Sequence, residues 1–286
     1  MKKILVPTDF SSCAANALNF AVQMAKICAV EINLIHVVDR TDSLYSDRSD
    51  LIQEKYNAVL EEAQEKLDLV KFSIAETESV DIRTFLREGD VDEHILELSE
   101  EKSIDLIVMG TFGINGLKDR IWGSKTAGLT GKTSVPVMVI PYEYNWKVPA
   151  KILLATTFFE EDKHLLEPII YLANAFKTAL HAVIFTDEDT ADATLFLEHG
   201  MNMADYERKL KDQLNTASVI TNHLSGRKFE DTLQDYIKAN DIDILAMITY
   251  QRSLWDRIFH PSVTRRMSYH TTIPLLVIPA NRKEEE

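Results

Sequence analysis

Basic residues are in short supply. The chain of 286 residues carries 31 Lys+Arg against 45 Asp+Glu, a formal net charge of −14. Phosphate attraction needs a basic face, so a surface of this sign excludes a general nucleic-acid binder. A small anion is still within reach where backbone donors collect. Cysteine is nearly absent, with only Cys13 and Cys28. Both fall in one expected helix, about 22 Å apart along its axis, too far to pair. That excludes a disulfide framework and fits a reducing compartment. No uninterrupted apolar run approaches the roughly 20 residues of a membrane span. The opening Met1-Lys2-Lys3 leads into Ile4-Leu5-Val6 and meets Asp9 too soon for a signal peptide. The expectation is a soluble, cytoplasmic protein with no membrane partner. Disorder is not expected outside the charged tail Arg282 to Glu286, since 45% of the chain is hydrophobic. Glycine is scarce too, and four of the nine crowd into one loop.

The chain repeats itself. Lys3-Ile4-Leu5-Val6-Pro7-Thr8-Asp9-Phe10 returns as Lys151-Ile152-Leu153-Leu154-Ala155-Thr156-Thr157-Phe158, 148 positions later. Ile104-Asp105-Leu106-Ile107-Val108-Met109 returns as Ile242-Asp243-Ile244-Leu245-Ala246-Met247 at an offset of 138. Val135 to Pro141 returns as Ile273 to Pro279 at the same 138. The second copy has therefore lost ten residues between its second and fourth strands. A period this long marks a duplicated domain rather than a solenoid. The expected division is 1–141, a linker over 142–150, and 151–286.

Within the first copy, short apolar runs alternate with helical patterns. Ile4 to Val6 and Ile32 to Val38 read as buried strands. Between them Ser11 is the expected N-cap of a helix reaching Cys28. Leu51 to Leu69 reads as an amphipathic surface helix. Val80 to Leu86 is a third strand and Val91 to Glu101 a third helix. Leu106 to Met109 and Val135 to Ile140 are the last strands, with a helix starting near Ser124 between them. This alternation predicts an α/β fold of two Rossmann-like, doubly wound domains, each on a parallel sheet. In such sheets a ligand sits beyond the carboxyl ends of the strands, where the winding reverses. That directs attention to Pro7 to Ser11, Val37 to Arg40, and the loop after Met109.

The loop runs from Gly110 to Ser124 and holds Gly110, Gly113, Gly116 and Gly123. Glycines let backbone N–H groups line a concavity that a ligand can approach closely. Gly123-Ser124 falls at the start of the next helix, where unpaired N–H donors and a partial positive charge favour an anion. Lys118, Arg120 and Lys125 add local charge. Taken alone, the same glycines equally suit a flexible connection. No Gly-Lys-Ser/Thr is present, and the spacing is not that of the dinucleotide fingerprint.

Gly110-x2-Gly113-x9-Gly123-Ser124 resembles the ATP-binding motif of the universal stress protein family. Ile4 to Ser11, His36-Val37 and Val135 to Val139 resemble that family's first strand and turn, the end of its second strand, and its last strand. The resemblance is close over residues 1 to about 141 and looser beyond. It implies five parallel strands in the order 3-2-1-4-5 and an ATP site at the ends of the first and fourth. In that arrangement Pro7 and Thr8 shape the first turn, and Asp9 faces the ribose or a phosphate-bound Mg²⁺. Val37 meets the adenine through its backbone. Gly110, Thr111, Gly113 and Gly116 lie around the phosphates and ribose, and Gly123, Ser124 and Lys125 close on the phosphates. Asp9 also suits a turn or helix cap, and Val37 also suits a core.

The second copy departs where a ligand needs access. Asp9 becomes Thr157, Pro7 becomes Ala155, Gly110 becomes Ile248 and Gly113 becomes Gln251. Gly123 aligns with His260 and Ser124 with Pro261. The expectation is one adenine-nucleotide site, in the first copy, with ATP and Mg²⁺ as ligands. A stress-response regulator working by occupancy is the leading reading. The alternatives are a slow ATPase or other nucleotide-hydrolysing enzyme, and a non-catalytic scaffold. No catalytic residue is assigned, because only Asp9 is available to position a water. His-x-Gly-His and Ser-Gly-Gly-x-Asp elements are absent. The apolar last strands lead to the expectation of an intramolecular pseudo-dimer of the two halves, or a homodimer.

Overall fold

A computed structural model describes residues 1–39, 49–111, 129, 132–189, 191–213, 218–249 and 272–280, with the side chains of 49–52 excepted. The chain divides into two compact units, Met1–Tyr142 and Glu143–Glu286.

In the first unit the order is β1 (Lys3–Pro7), α1 (Ser12–Cys28), β2 (Glu31–Val38), α2 (Ser49–Glu78), β3 (Ile82–Glu88), α3 (Val91–Lys102), β4 (Leu106–Gly110) and β5 (Val137–Ile140). The strands lie in the order β3-β2-β1-β4-β5 and pair in parallel. β1 is central, and Ile4, Leu5 and Val6 are completely buried, as continuous apolar strands covered on both faces require. α1 starts at the expected cap: the Ser11 hydroxyl accepts from the Ala14 N–H at 3.2 Å. Its buried stripe includes Cys13, Ala14, Ala17, Phe20, Ala21, Met24 and Ala25. Small side chains on that stripe let the helix lie close to the sheet. Ala29 closes the helix in the left-handed conformation.

The second unit repeats the plan. Its elements are β6 (Lys151–Thr156), α4 (Lys163–Phe176), β7 (Ala179–Asp187), α5 (Ala193–Gln213), β8 (Val219–Gly226), α6 (Phe229–Asn240), β9 (Ile244–Thr249) and β10 (Leu275–Pro279). They form the order β8-β7-β6-β9-β10, again parallel. The missing residues are largely accounted for by the second helix, since α2 has 30 residues and α5 has 21. α2 also runs past the expected end at Leu69, as far as Glu78. The stretch expected as a linker is partly packed. Tyr144 is buried, and Trp146 meets the Phe176 ring edge-on at 6.2 Å.

The repeated Ile-Asp pair has a structural task at the amino ends of the strands. Asp105 Oδ2 accepts from the backbone N–H groups of Lys2 and Lys3 at 2.6 and 3.0 Å. Asp243 Oδ2 accepts from those of Ala150 and Lys151 at 2.7 and 2.9 Å. The repeated lysines answer in kind: Lys3 Nζ donates to the Lys102 carbonyl and Lys151 Nζ to the Asn240 carbonyl. Each carboxylate holds the entry of its unit's central strand. Among the described residues, no helix is long and apolar enough to cross a membrane.

Candidate functional site

In the first unit the winding reverses between β1 and β4, so the crevice lies beyond Pro7 and Gly110. The chain turns from β1 into α1 through three successive side-chain ties. Thr8 Oγ1 accepts from the Phe10 N–H at 3.0 Å, Asp9 Oδ1 from the Ser11 N–H at 3.0 Å, and Ser11 Oγ caps the helix. Phe10 occupies the left-handed region, φ +60°, a conformation uncommon for a side chain of this size. Asp9 is therefore a turn residue through one oxygen, the bland role that its position at a strand end allows. α1 has no acidic residue in its first turn. Its positive end faces the crevice without an acidic side chain of its own to offset it.

Two residues of the turn's support did not stand out in the sequence as a pair. His36 Nδ1 lies 2.7 Å from the Thr8 carbonyl oxygen and donates to it, and the Phe10 ring lies over the imidazole with centroids 4.5 Å apart. Lys66 Nζ sits 5.6 Å from the Phe10 ring centroid. Burial pushes the His36 pKa down, against the Thr8 carbonyl and Asp9, which raise it. The β1–β2 register, with Pro7 opposite Ile35, brings this group together. Val37 is half-buried within β2, opposite Arg87.

Gly110 ends β4 and Thr111 follows it. A Cβ at Gly110 would stand 2.5 Å from Cys13 Sγ and 2.8 Å from the Cys13 carbonyl oxygen. The first turn of α1 thus crosses directly over residue 110, and only glycine leaves it room. Thr111 is buried, its hydroxyl 3.7 Å from Cys13 Sγ and its N–H bonded to the Ile140 carbonyl at 3.2 Å. Gly113, Gly116, Gly123, Ser124 and Lys125 lie outside the described residues, as do Gln251, His260 and Pro261. Gly110→Ala is expected to destabilise the first unit by about 1–3 kcal/mol through overpacking. Urea unfolding of the two proteins measures this, and equal midpoints would refute the crossing.

In the second unit that glycine is lost and the helix start has changed with it. Ile248, the counterpart of Gly110, is buried. α4 begins at Lys163 with Asp162 as its cap, three positions later than the start of α1 carried over by the 148 offset. The turn that would collide with a side chain at 248 is not formed. Phe159 stands in place of the cap Ser11, and its ring packs on His199 and Tyr206 with centroids 5.6 and 5.1 Å away. Glu160 is buried and accepts from the Asp162 N–H at 2.7 Å. Burial raises its pKa. The helix end that offers donors in the first unit has withdrawn here, and an aromatic ring and a carboxyl group occupy the vacated turn. Among the described residues, no group of three or more His, Cys, Asp or Glu is placed to hold a metal ion.

Comparison with known proteins agrees with the duplicated plan. The model of the universal stress protein family matches residues 1–141 and again 150–279. Two universal stress proteins of Methanocaldococcus jannaschii are similar. One is 30% identical over 153 residues, which is 49% of this chain and 94% of the relative. The other is 38% identical over 142 residues, 49% of this chain and 81% of the relative. Over 97% of its length the fold resembles that of a universal stress protein from Archaeoglobus fulgidus, with a TM-score of 0.72 at 18% identity and 98% of that chain covered. With two family domains in succession, each on the strand order 3-2-1-4-5, the chain belongs to the universal stress protein family as a tandem member.

Proposed function

We propose that the first unit binds one adenine nucleotide, ATP with Mg²⁺, and that the chain acts in the stress response through occupancy of that site rather than turnover. The observation that carries this reading is the contrast between the two copies. One keeps a helix start crossing a glycine beside a tied turn. The other starts its helix three positions later and carries a buried isoleucine in place of that glycine. Family membership supports the same reading. The start of α1 crosses Gly110, and a helix N-terminus beside a glycine suits a phosphate group. In this reading Pro7, Thr8 and Val37 border the base and ribose, and Asp9 is the carboxylate nearest a phosphate-bound cation. Gly110 and Thr111 set the floor. Gly113, Gly116, Gly123, Ser124 and Lys125 surround the phosphates.

Turnover is expected to be slow. Asp9 is the one acidic group assigned to the site, and its Oδ1 is committed to the Ser11 N–H. Mass spectrometry of nucleotide released from the native protein, with a phosphate-release assay, tests the reading. The expected result is an adenine nucleotide and release far below the ~1–100 s⁻¹ of equipped phosphoryl-transfer enzymes. Fast Mg²⁺-dependent release that survives purification overturns the regulatory reading. Absence of both bound nucleotide and ATP affinity overturns the site.

A further inference from the structure

The second unit holds a polar centre of its own. At the end of β7, the Thr186 hydroxyl lies 2.7 Å from His199 Nδ1 and 2.8 Å from His223 Nε2. His199 comes from α5 and His223 from β8, so one hydroxyl joins three elements. The two imidazole centroids are 5.5 Å apart. Thr186 and His199 are almost fully buried, 2% and 5% exposed. Phe159 stands against the His199 ring, and Phe196 lies 4.7 Å from the His223 ring. Of the residues of α5, only His199, Tyr206 and Leu210 are buried. One of three buried anchors of this helix is therefore a histidine. Leu195, Phe196, Leu197 and Met201 of the same helix are exposed.

We propose that this bracket is a pH-responsive latch, in which α5 is docked on β7 and β8 while His199 and His223 are neutral and is released as they take up protons. The hydroxyl has one proton and two lone pairs. Two neutral imidazoles satisfy it, one ring nitrogen accepting and the other donating. Two imidazolium rings offer only donors. The hydroxyl proton then loses its acceptor, and two like charges face each other among aromatic side chains.

The charges around the pair do not cancel this effect. Glu198, adjacent in α5, favours protonation of His199, but burial outweighs it and the His199 pKa is lowered. Burial, followed by the nearby His199, lowers that of His223. The carboxylates of neighbouring elements have partners of their own. Glu207 of α5 is bonded to Thr221 of β8 and to Lys211. Glu161, before α4, pairs with Lys209 of α5, which also meets Asp205. Buried Glu160 is itself shifted toward its neutral form. Asp187, next along β7, accepts from the Asp189 N–H. A released histidine titrates near 6.5, above the docked pair, so the released state binds more protons. Docking is complete above about pH 7.5 and weakens as pH falls through 6.5 toward the docked values.

Amide hydrogen exchange of the full chain, corrected for intrinsic rates, tests the latch between pH 7.5 and 5.5. Protection over 193–213 and 219–226 is expected to fall by about tenfold or more, the effect of one pH unit on one linked histidine. Protection over 12–28 is expected to hold. His199→Gln and His223→Gln should flatten the response. His181→Asn should leave it intact, since His181 bonds Tyr236 of α6 instead. If a variant does not fold, histidine proton resonances of the wild type replace it, with both titrations expected below 6.5. Ordinary titration of both rings, unchanged protection of α5, or a loss spread equally over 12–28 overturns the proposal.

Discussion

Replacing Gly113 with valine is expected to abolish adenine-nucleotide binding by the full chain, while Gln251→Val leaves it unchanged. The two positions correspond across the duplication but sit in different surroundings. Gly113 stands among Gly110, Gly116 and Gly123 in the sequence, ahead of Ser124. A branched side chain there enters the space where backbone N–H groups must approach a phosphate, and it strains any positive φ. In the second copy Gln251 stands at that position, and the residue aligned with Ser124 is Pro261, which offers no N–H. Ser124→Ala is expected to weaken binding by about 1–3 kcal/mol through loss of one hydroxyl to a phosphate oxygen. Titration calorimetry on the wild type and the three variants measures all of this. Circular dichroism confirms that each is folded. Undiminished binding by Gly113→Val would show that the loop takes no part.

Asp243→Ala is expected to cost about 3 kcal/mol of stability, and Asp105→Ala about 1 kcal/mol. The two carboxylates make the same paired bonds to the start of a central strand. They differ in burial. Asp243 is 4% exposed and also pairs with Lys147, whereas Asp105 is exposed. Removing Asp243 leaves the N–H groups of Ala150 and Lys151 with little water to replace their acceptor. Beside Asp105 water takes that place readily. Guanidinium unfolding of both variants measures the difference, and equal losses would show that burial does not set it.

The duplication was legible because it is written twice in apolar strands. The helix start at Ser11 was legible because a capping hydroxyl precedes the apolar period, and the cap is formed as expected. The far end of α2 was not. Leu69 and Phe72 are exposed, 68% and 66%, so apolar residues on the solvent side blur the stripe that leads to buried Leu67 and Ile74. The contact of the Phe10 ring with His36 depends on register between strands, which no local pattern carries. The withdrawal of α4 was half visible. Ile248 showed that residue 110 had lost its glycine, but the response required knowing that α1 crosses that residue within contact distance. Asp162 then takes over as cap three positions on, through an ordinary capping bond that alignment against the first copy conceals. The network of Thr186, His199 and His223 was invisible for the same reason, since its members come from three separate elements.

Duplication is expected to have left one nucleotide site, in the first unit. Calorimetric titration of the wild-type chain with ATP and Mg²⁺ tests it most directly. The predicted result is one nucleotide bound per chain. Two equivalent sites per chain, or none, would contradict it.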